Sequence, residues 1–149
     1  MLDIPAATLI LTGTIGCVTA YIAIQQWRIN KNKLRLDLFD RRWSVFEATM
    51  RLAEIVITKG DISLEEVHRF AFATKGVEFL FNRELQDYCD DQQHKEALAV
   101  HMGKRKIDSL PEGDERDKST VLWQDRIVWF SDQRKEIQKR FAPFLKIWG

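Results

Sequence analysis

The chain has 149 residues, with 23 Lys+Arg against 22 Asp+Glu and a net charge of +1. That length suits one domain with a real core, and 30% charged with 11% aromatic residues excludes a disordered or low-complexity chain. The near-neutral balance argues against a nucleic-acid partner, which would call for a strong basic excess, and two cysteines exclude a disulfide-dense secreted scaffold.

The charge is unevenly placed. No Lys or Arg precedes Arg28, and Asp3 is the only acid before it. Ile4 to Ile24 is an uncharged run of 21 residues, about 31 Å of helix at 1.5 Å per residue, close to the hydrocarbon thickness of a bilayer. Trp27 follows where an interfacial aromatic belongs, and Arg28, Lys31, Lys33 and Arg35 fall in the window that sets orientation. Residues 1–27 are therefore expected to be a single-pass anchor, with the N-terminus outside and the rest in the cytoplasm. A cleaved signal peptide would need a basic start, which Met1 to Pro5 lacks. A lipoprotein signal at Cys17 fits worse, because the apolar run continues past it. Thr8, Thr12, Gly16 and Ala20 recur every four residues and form a stripe of small side chains, which lets helices approach closely in lipid. This stripe is the expected helix-association face.

From Ile29 the pattern becomes amphipathic. Leu36, Phe39, Trp43, Phe46, Met50, Ala53 and Ile57 are spaced 3, 4, 3, 4, 3, 4, a heptad seam. Leu34, Leu38, Val45 and Leu52 form a second stripe, offset by roughly 150° at 100° per residue. A juxtamembrane helix of about 29–59 is predicted, touching two neighbours or giving one stripe to the core and one to another subunit. Arg35 and Arg42 lie between the stripes, where they must find an acid, a lipid headgroup or an anionic ligand. Arg28, Lys31, Lys33, Arg35 and Arg42 are the candidate contacts for lipid or anion. Lys59 in the last turn and Gly60 just beyond it mark the helix end.

Ser63-Leu64-Glu65-Glu66 is a capping box that should start a short helix to about Lys75. Val77 to about Met102 reads as one longer helix, with Phe79, Leu80, Phe81, Leu85, Tyr88, Leu98 and Met102 inward and Gly103 as its cap, unless it continues to Asp108. Leu110-Pro111-Glu112-Gly113-Asp114 is a turn-rich linker. The last helix should start between Asp117 and Ser119 and reach Phe141, with Trp123, Ile127, Phe130, Ile137 and Phe141 as its seam. Beyond Pro143, the apolar tail Phe144, Leu145, Ile147 and Trp148 is expected to fold back on the bundle, with the membrane surface as the alternative. No strand pattern survives. The fold class is all-α: an N-terminal transmembrane helix, then a cytoplasmic bundle of about four helices over residues 28–149.

Catalytic signatures do not appear: there is no phosphate loop, zinc-finger spacing or nucleophile elbow. His94 and His101 share a helix face with Asp90, but seven residues separate the two histidines. That is about 10 Å along the axis, too far for one zinc at ligand distances of about 2 Å. Cys89 reads as a packed core cysteine. Asp37, Asp40, Arg41 and Arg42, and the basic run Lys104, Arg105 and Lys106, read as solvated surfaces, with anionic lipid as the functional alternative. No metal, cofactor, nucleic-acid partner or enzymatic activity is expected.

Two stretches carry a resemblance. Lys33-Leu34-Arg35-Leu36-Asp37-Leu38-Phe39-Asp40-Arg41-Arg42, and Val77-Glu78-Phe79-Leu80-Phe81 with Leu85 and Tyr88, resemble recurrent blocks of a widespread, uncharacterised family of bacterial single-pass membrane proteins. The resemblance implies a bacterial source and an anchor-plus-helices architecture, and it brings no activity and no site residues. The expected function is a membrane-anchored helical interaction protein, a homo-oligomer or a small accessory subunit of a membrane assembly. The alternative is a tethered sensor or effector of a small anionic ligand, in stress or phage defence.

Overall fold

Helix formation starts from the uncharged run and ends where glycine permits it. In the computed structural model, which describes residues 4–146 and the side chains of α1 from Thr8 on, α1 spans Ile4–Lys59. Asp3, Ile147 and Trp148 lie outside the described residues. At the end of α1, Gly60 takes φ 64, a left-handed conformation that lets its N–H reach the Val56 carbonyl at 2.9 Å. Residues up to Leu38 form one compact unit and residues from Phe39 on form another.

In the first unit, α1 is long and apolar enough to cross a membrane, and the described apolar stretch is not buried by the chain itself. Its hydroxyls are satisfied within the helix. Thr12 donates to the Thr8 carbonyl at 2.9 Å, Thr14 to Leu11 at 2.8 Å and Thr19 to Ile15 at 2.8 Å. Such back-bonding lets threonine sit in an apolar medium without an unpaired donor.

The second unit is a helical bundle. After Phe39–Lys59 of α1 come α2 (Leu64–Ala73), the single turn α3 (Val77–Leu80), α4 (Arg83–Asp87), a π-helical segment (Tyr88–Gln93), α5 (His94–Ser109) and α6 (Asp114–Phe141). The described residues contain no strand. α2 begins with the expected capping box: the Ser63 hydroxyl accepts from Glu66 N–H, and the Glu66 carboxylate accepts from Ser63 N–H at 3.1 Å. Val45, Leu52, Ala53 and Val56 of α1 are buried against Val67, Phe70, Leu85, Val100, Phe130, Ile137 and Phe141. Phe46, Met50 and Ile57 are partly buried against the same core. Within the bundle, therefore, residues of both apolar stripes face inward, while Trp43 of the first stripe stays 46% exposed. Phe144 and Leu145 also pack against the core.

Several sequence expectations are corrected. The helix expected over Val77–Met102 is broken after Leu80. Phe81 is extended, and the Asn82 side chain caps the next helix by accepting from Leu85 N–H at 3.1 Å. On its short turn Phe79 is 84% exposed, not inward. Met102 is also outside, 62% exposed, and Ala97 and Val100 are buried instead. The π-helical segment accounts for the change. It inserts one residue into the turn, so every later position rotates by about 100° relative to an unbroken α-helix. Finally, Gly103 does not cap α5, which runs on to Ser109. It faces Trp123 of α6, whose ring a Cβ at Gly103 would meet at 3.5 Å. α6 also starts earlier than expected, at Asp114.

Candidate functional site

Two side-chain clusters stand out in the bundle. The first is built on Arg42. Its Nε donates to the Leu80 carbonyl at 3.0 Å and its Nη1 to the Phe144 carbonyl at 3.3 Å. Its guanidinium carbon lies 5.9 Å from the Phe81 ring centre and 5.8 Å from that of Phe144. A planar fork with several donors suits such a place: it ties two stretches of irregular backbone while stacking on aromatic faces. The Leu80 carbonyl is available because the chain breaks its helix there. Sequence reasoning placed Arg42 between two apolar stripes but could not see the break that supplies its acceptor.

The second cluster grows from the π-helical segment. The i→i+5 pattern of the π-helix brings Tyr88 and Gln93 onto one face. Gln93 Nε2 donates to the Tyr88 hydroxyl at 2.8 Å, and that hydroxyl donates to Gln133 Oε1 at 2.8 Å. Gln93 is fully buried, and its Oε1 has no partner among the described residues. Arg140 lies over the Tyr88 ring, 4.7 Å from its centre, and pairs with Glu136 at 2.7 Å and Glu84 at 3.0 Å. Burial pushes the Tyr88 phenol well above its ordinary range, so it acts as a neutral hydrogen-bonding group and not as a base. Nothing in the spacing of Tyr88, Gln93, Gln133 and Arg140 announced this network, because α-helical periodicity does not align residues five apart.

Beside them, an open groove of about 280 Å³ lies between α1 and α2, with Leu52, Ile55 and Phe70 on its floor and Glu47, Arg51 and Arg69 at its rim. It contains no histidine or cysteine. Among the described residues, no group of three or more His, Cys, Asp or Glu side chains could hold a metal ion. His101 instead binds the Ile62 carbonyl through Nδ1 at 2.7 Å, which ties α5 to the loop after α1.

The other candidate residues are dispersed. Thr8, Thr12, Gly16 and Ala20 are exposed along α1, and a Cβ at Gly16 would meet nothing within 4 Å. Arg28, Lys33 and Arg35 are exposed, and Lys31 lies over the Trp27 ring at 5.1 Å. In the second basic patch, Lys104 pairs with Asp108 at 3.0 Å and Lys106 with Glu115 at 3.7 Å.

Cys89 is fully buried, and desolvation pushes its thiol up to about 12, against a smaller opposing hydrogen bond from Thr49. At neutral pH it is a thiol and not a thiolate. In protein reconstituted into vesicles, a membrane-impermeant maleimide is expected to leave Cys89 unlabelled until denaturant opens the bundle. Fast labelling under native conditions would contradict this burial.

Two carboxylates set opposite pH trends. The Lys59 ammonium, hydrogen-bonded at 3.0 Å, and the Ser63 backbone hold Glu66 below the ordinary carboxylate range. Its contribution to stability is present above the unfolded-state value and lost as pH falls through the lowered folded-state value. Desolvation raises Asp90, with Asp91 and Glu78 adding to the rise against His94. Asp90 therefore favours the folded state when protonated, and this preference fades as pH rises from the unfolded-state value through the folded-state one. Glu66→Gln should lower the melting temperature at pH 7, and by less at pH 3. Asp90→Asn should raise it slightly at pH 7 and leave it unchanged at pH 3. Melting curves at the two pH values check both signs.

No family model, no curated protein and no solved structure matches this chain.

Proposed function

We propose that this chain is a membrane-anchored helical interaction protein of a bacterial cytoplasmic membrane, with its N-terminus outside and its bundle inside. It either self-associates or serves as a small subunit of a membrane assembly. One observation carries this reading. Beyond the uncharged run, among Arg28, Lys31, Lys33 and Arg35, α1 still presents apolar side chains that the chain does not cover: Leu34 is 70% exposed and Leu36 52% exposed. Apolar side chains in a charged stretch are neither lipid-facing nor solvated by preference, and a protein partner explains them. The basic residues favour the cytoplasmic side and attract anionic headgroups. The alternative, a sensor of a small anion, has less support. Arg42, Lys104 and Lys106 are already engaged within the bundle.

The test is the mass of full-length protein in mild detergent, corrected for bound detergent, with co-purifying proteins identified. A mass above one chain, or a stoichiometric partner, is the expected result. A monomer without a partner would sink the proposal.

A further inference from the structure

The heptad seam does not begin at Leu36. Stepping back from Leu36 by alternating intervals of four and three reaches Asn32, Ile29, Gln25, Ile22, Val18 and Ile15. We propose that this extended seam is the surface on which a second copy of the chain docks, as a parallel two-stranded coiled coil running from the membrane segment to Leu36. The inference rests on the self-association reading above and names its partner and geometry.

Four observations point to a second copy. First, five charged residues, Arg28, Lys31, Lys33, Arg35 and Asp37, precede Leu38 within one stretch, and none occupies positions 29, 32 or 36. A helix face that only met water would not be kept free of charge in so charged a stretch. Second, Ile15, Ile22, Ile29 and Leu36 fill one seam position in successive heptads, and all four are exposed. β-Branched side chains at that position favour two-stranded packing. Third, the alternate position carries Gln25 and Asn32. Asn32 makes no side-chain hydrogen bond to any described residue, and Gln25 donates only to Tyr21 on its own helix, at 3.1 Å. A carboxamide is donor and acceptor at once, so it is complementary to its own copy across a two-fold axis. Fourth, copies inserted in one bilayer with the same orientation bring the same residue to the same depth, so the self-complementary positions meet. The seam drifts about 20° per heptad on a straight α-helix, which a left-handed supercoil absorbs.

This face differs from the stripe of Thr8, Thr12, Gly16 and Ala20, which is turned away from it by about 120° at 100° per residue. The two surfaces are therefore separable by cross-linking. Full-length protein carrying Cys17→Ala would receive single cysteines as Asn32→Cys, Leu36→Cys, Leu34→Cys, Leu38→Cys or Gly16→Cys, and be oxidised in native membranes. Disulfide-linked dimers are expected at positions 32 and 36, with yields at 34, 38 and 16 lower by at least about fivefold. Dimers that form through 34 and 38, or through 16, would overturn the seam while leaving self-association standing. Absence of any dimer, with a monomeric mass in detergent, would overturn both. Leu36→Glu gives an independent reading. It should weaken association by at least about tenfold, since it buries a charge in the seam, and leave the melting of the bundle unchanged. Unchanged association would overturn the proposal.

Discussion

Arg42→Ala is expected to destabilise the bundle by about 3 kcal/mol. Hydrogen bonds from a charged donor contribute roughly 1.5–3 kcal/mol each, and truncation leaves part-buried acceptors unpaired. Here the acceptors are the carbonyl of Leu80, the last residue of the single turn α3, and that of Phe144, beyond the end of α6. The apolar stem and the stacking on Phe81 and Phe144 are lost as well. For a domain of this size the melting temperature should fall by roughly 10–20 °C. Arg42→Lys should recover less than half of that, because an ammonium cannot reproduce the forked geometry. The measurement needs a tertiary probe, such as near-ultraviolet circular dichroism, since an apolar anchor helix keeps its far-ultraviolet signal. An unchanged melting temperature in Arg42→Ala would show that this arginine does not hold the bundle together.

Phe141→Ala should be at least as severe, about 3–5 kcal/mol, the usual range for emptying a fully buried aromatic site. Phe141 is fully buried, with its ring centre 5.5 Å from that of Phe46 and 5.3 Å from that of Phe81. It therefore joins α1, the break after α3 and the end of α6. Since Phe81 is also the face on which Arg42 stacks, the two sites share a neighbour and should not be additive. The double variant is expected to lose less than the sum of the single losses. Strict additivity in denaturant titrations would show that the aromatic cluster does not couple them.

The difference between what the sequence shows and what the structure adds has a physical source. Signals carried within one helix or its ends were legible: Lys59-Gly60 ending α1, Ser63 with Glu66 starting α2, and the spacing of Phe130, Ile137 and Phe141. Each of these depends only on residues a few positions apart. The break at Phe81 was not legible: Asn82 is a helix-capping residue type, but Leu85 stands where Ser63 has Glu66, so only a lone capping signal marks the new start. The apolar run Phe79-Leu80-Phe81 outweighed it in a reading by hydrophobicity. The π-helical segment left no local mark, and the inward face beyond it was misassigned by one residue, which is why Met102 was expected inside. The two clusters depend on contacts between residues 38 to 102 positions apart, and no periodicity reports these. Arg42 was singled out for its place between two stripes, but its partners come from the middle of the chain and from its opposite end.

That last contact also bears on when the protein can be finished during synthesis. Arg42 and Phe144 are separated by 102 positions. At about 5–20 residues per second, a translating ribosome needs roughly 5–20 s to cover that interval. For all that time α1 has been made while the carbonyl that secures Arg42 has not. The apolar N-terminal run can enter a bilayer during this delay, but the bundle cannot close, and Phe46, Phe81 and their neighbours stay uncovered.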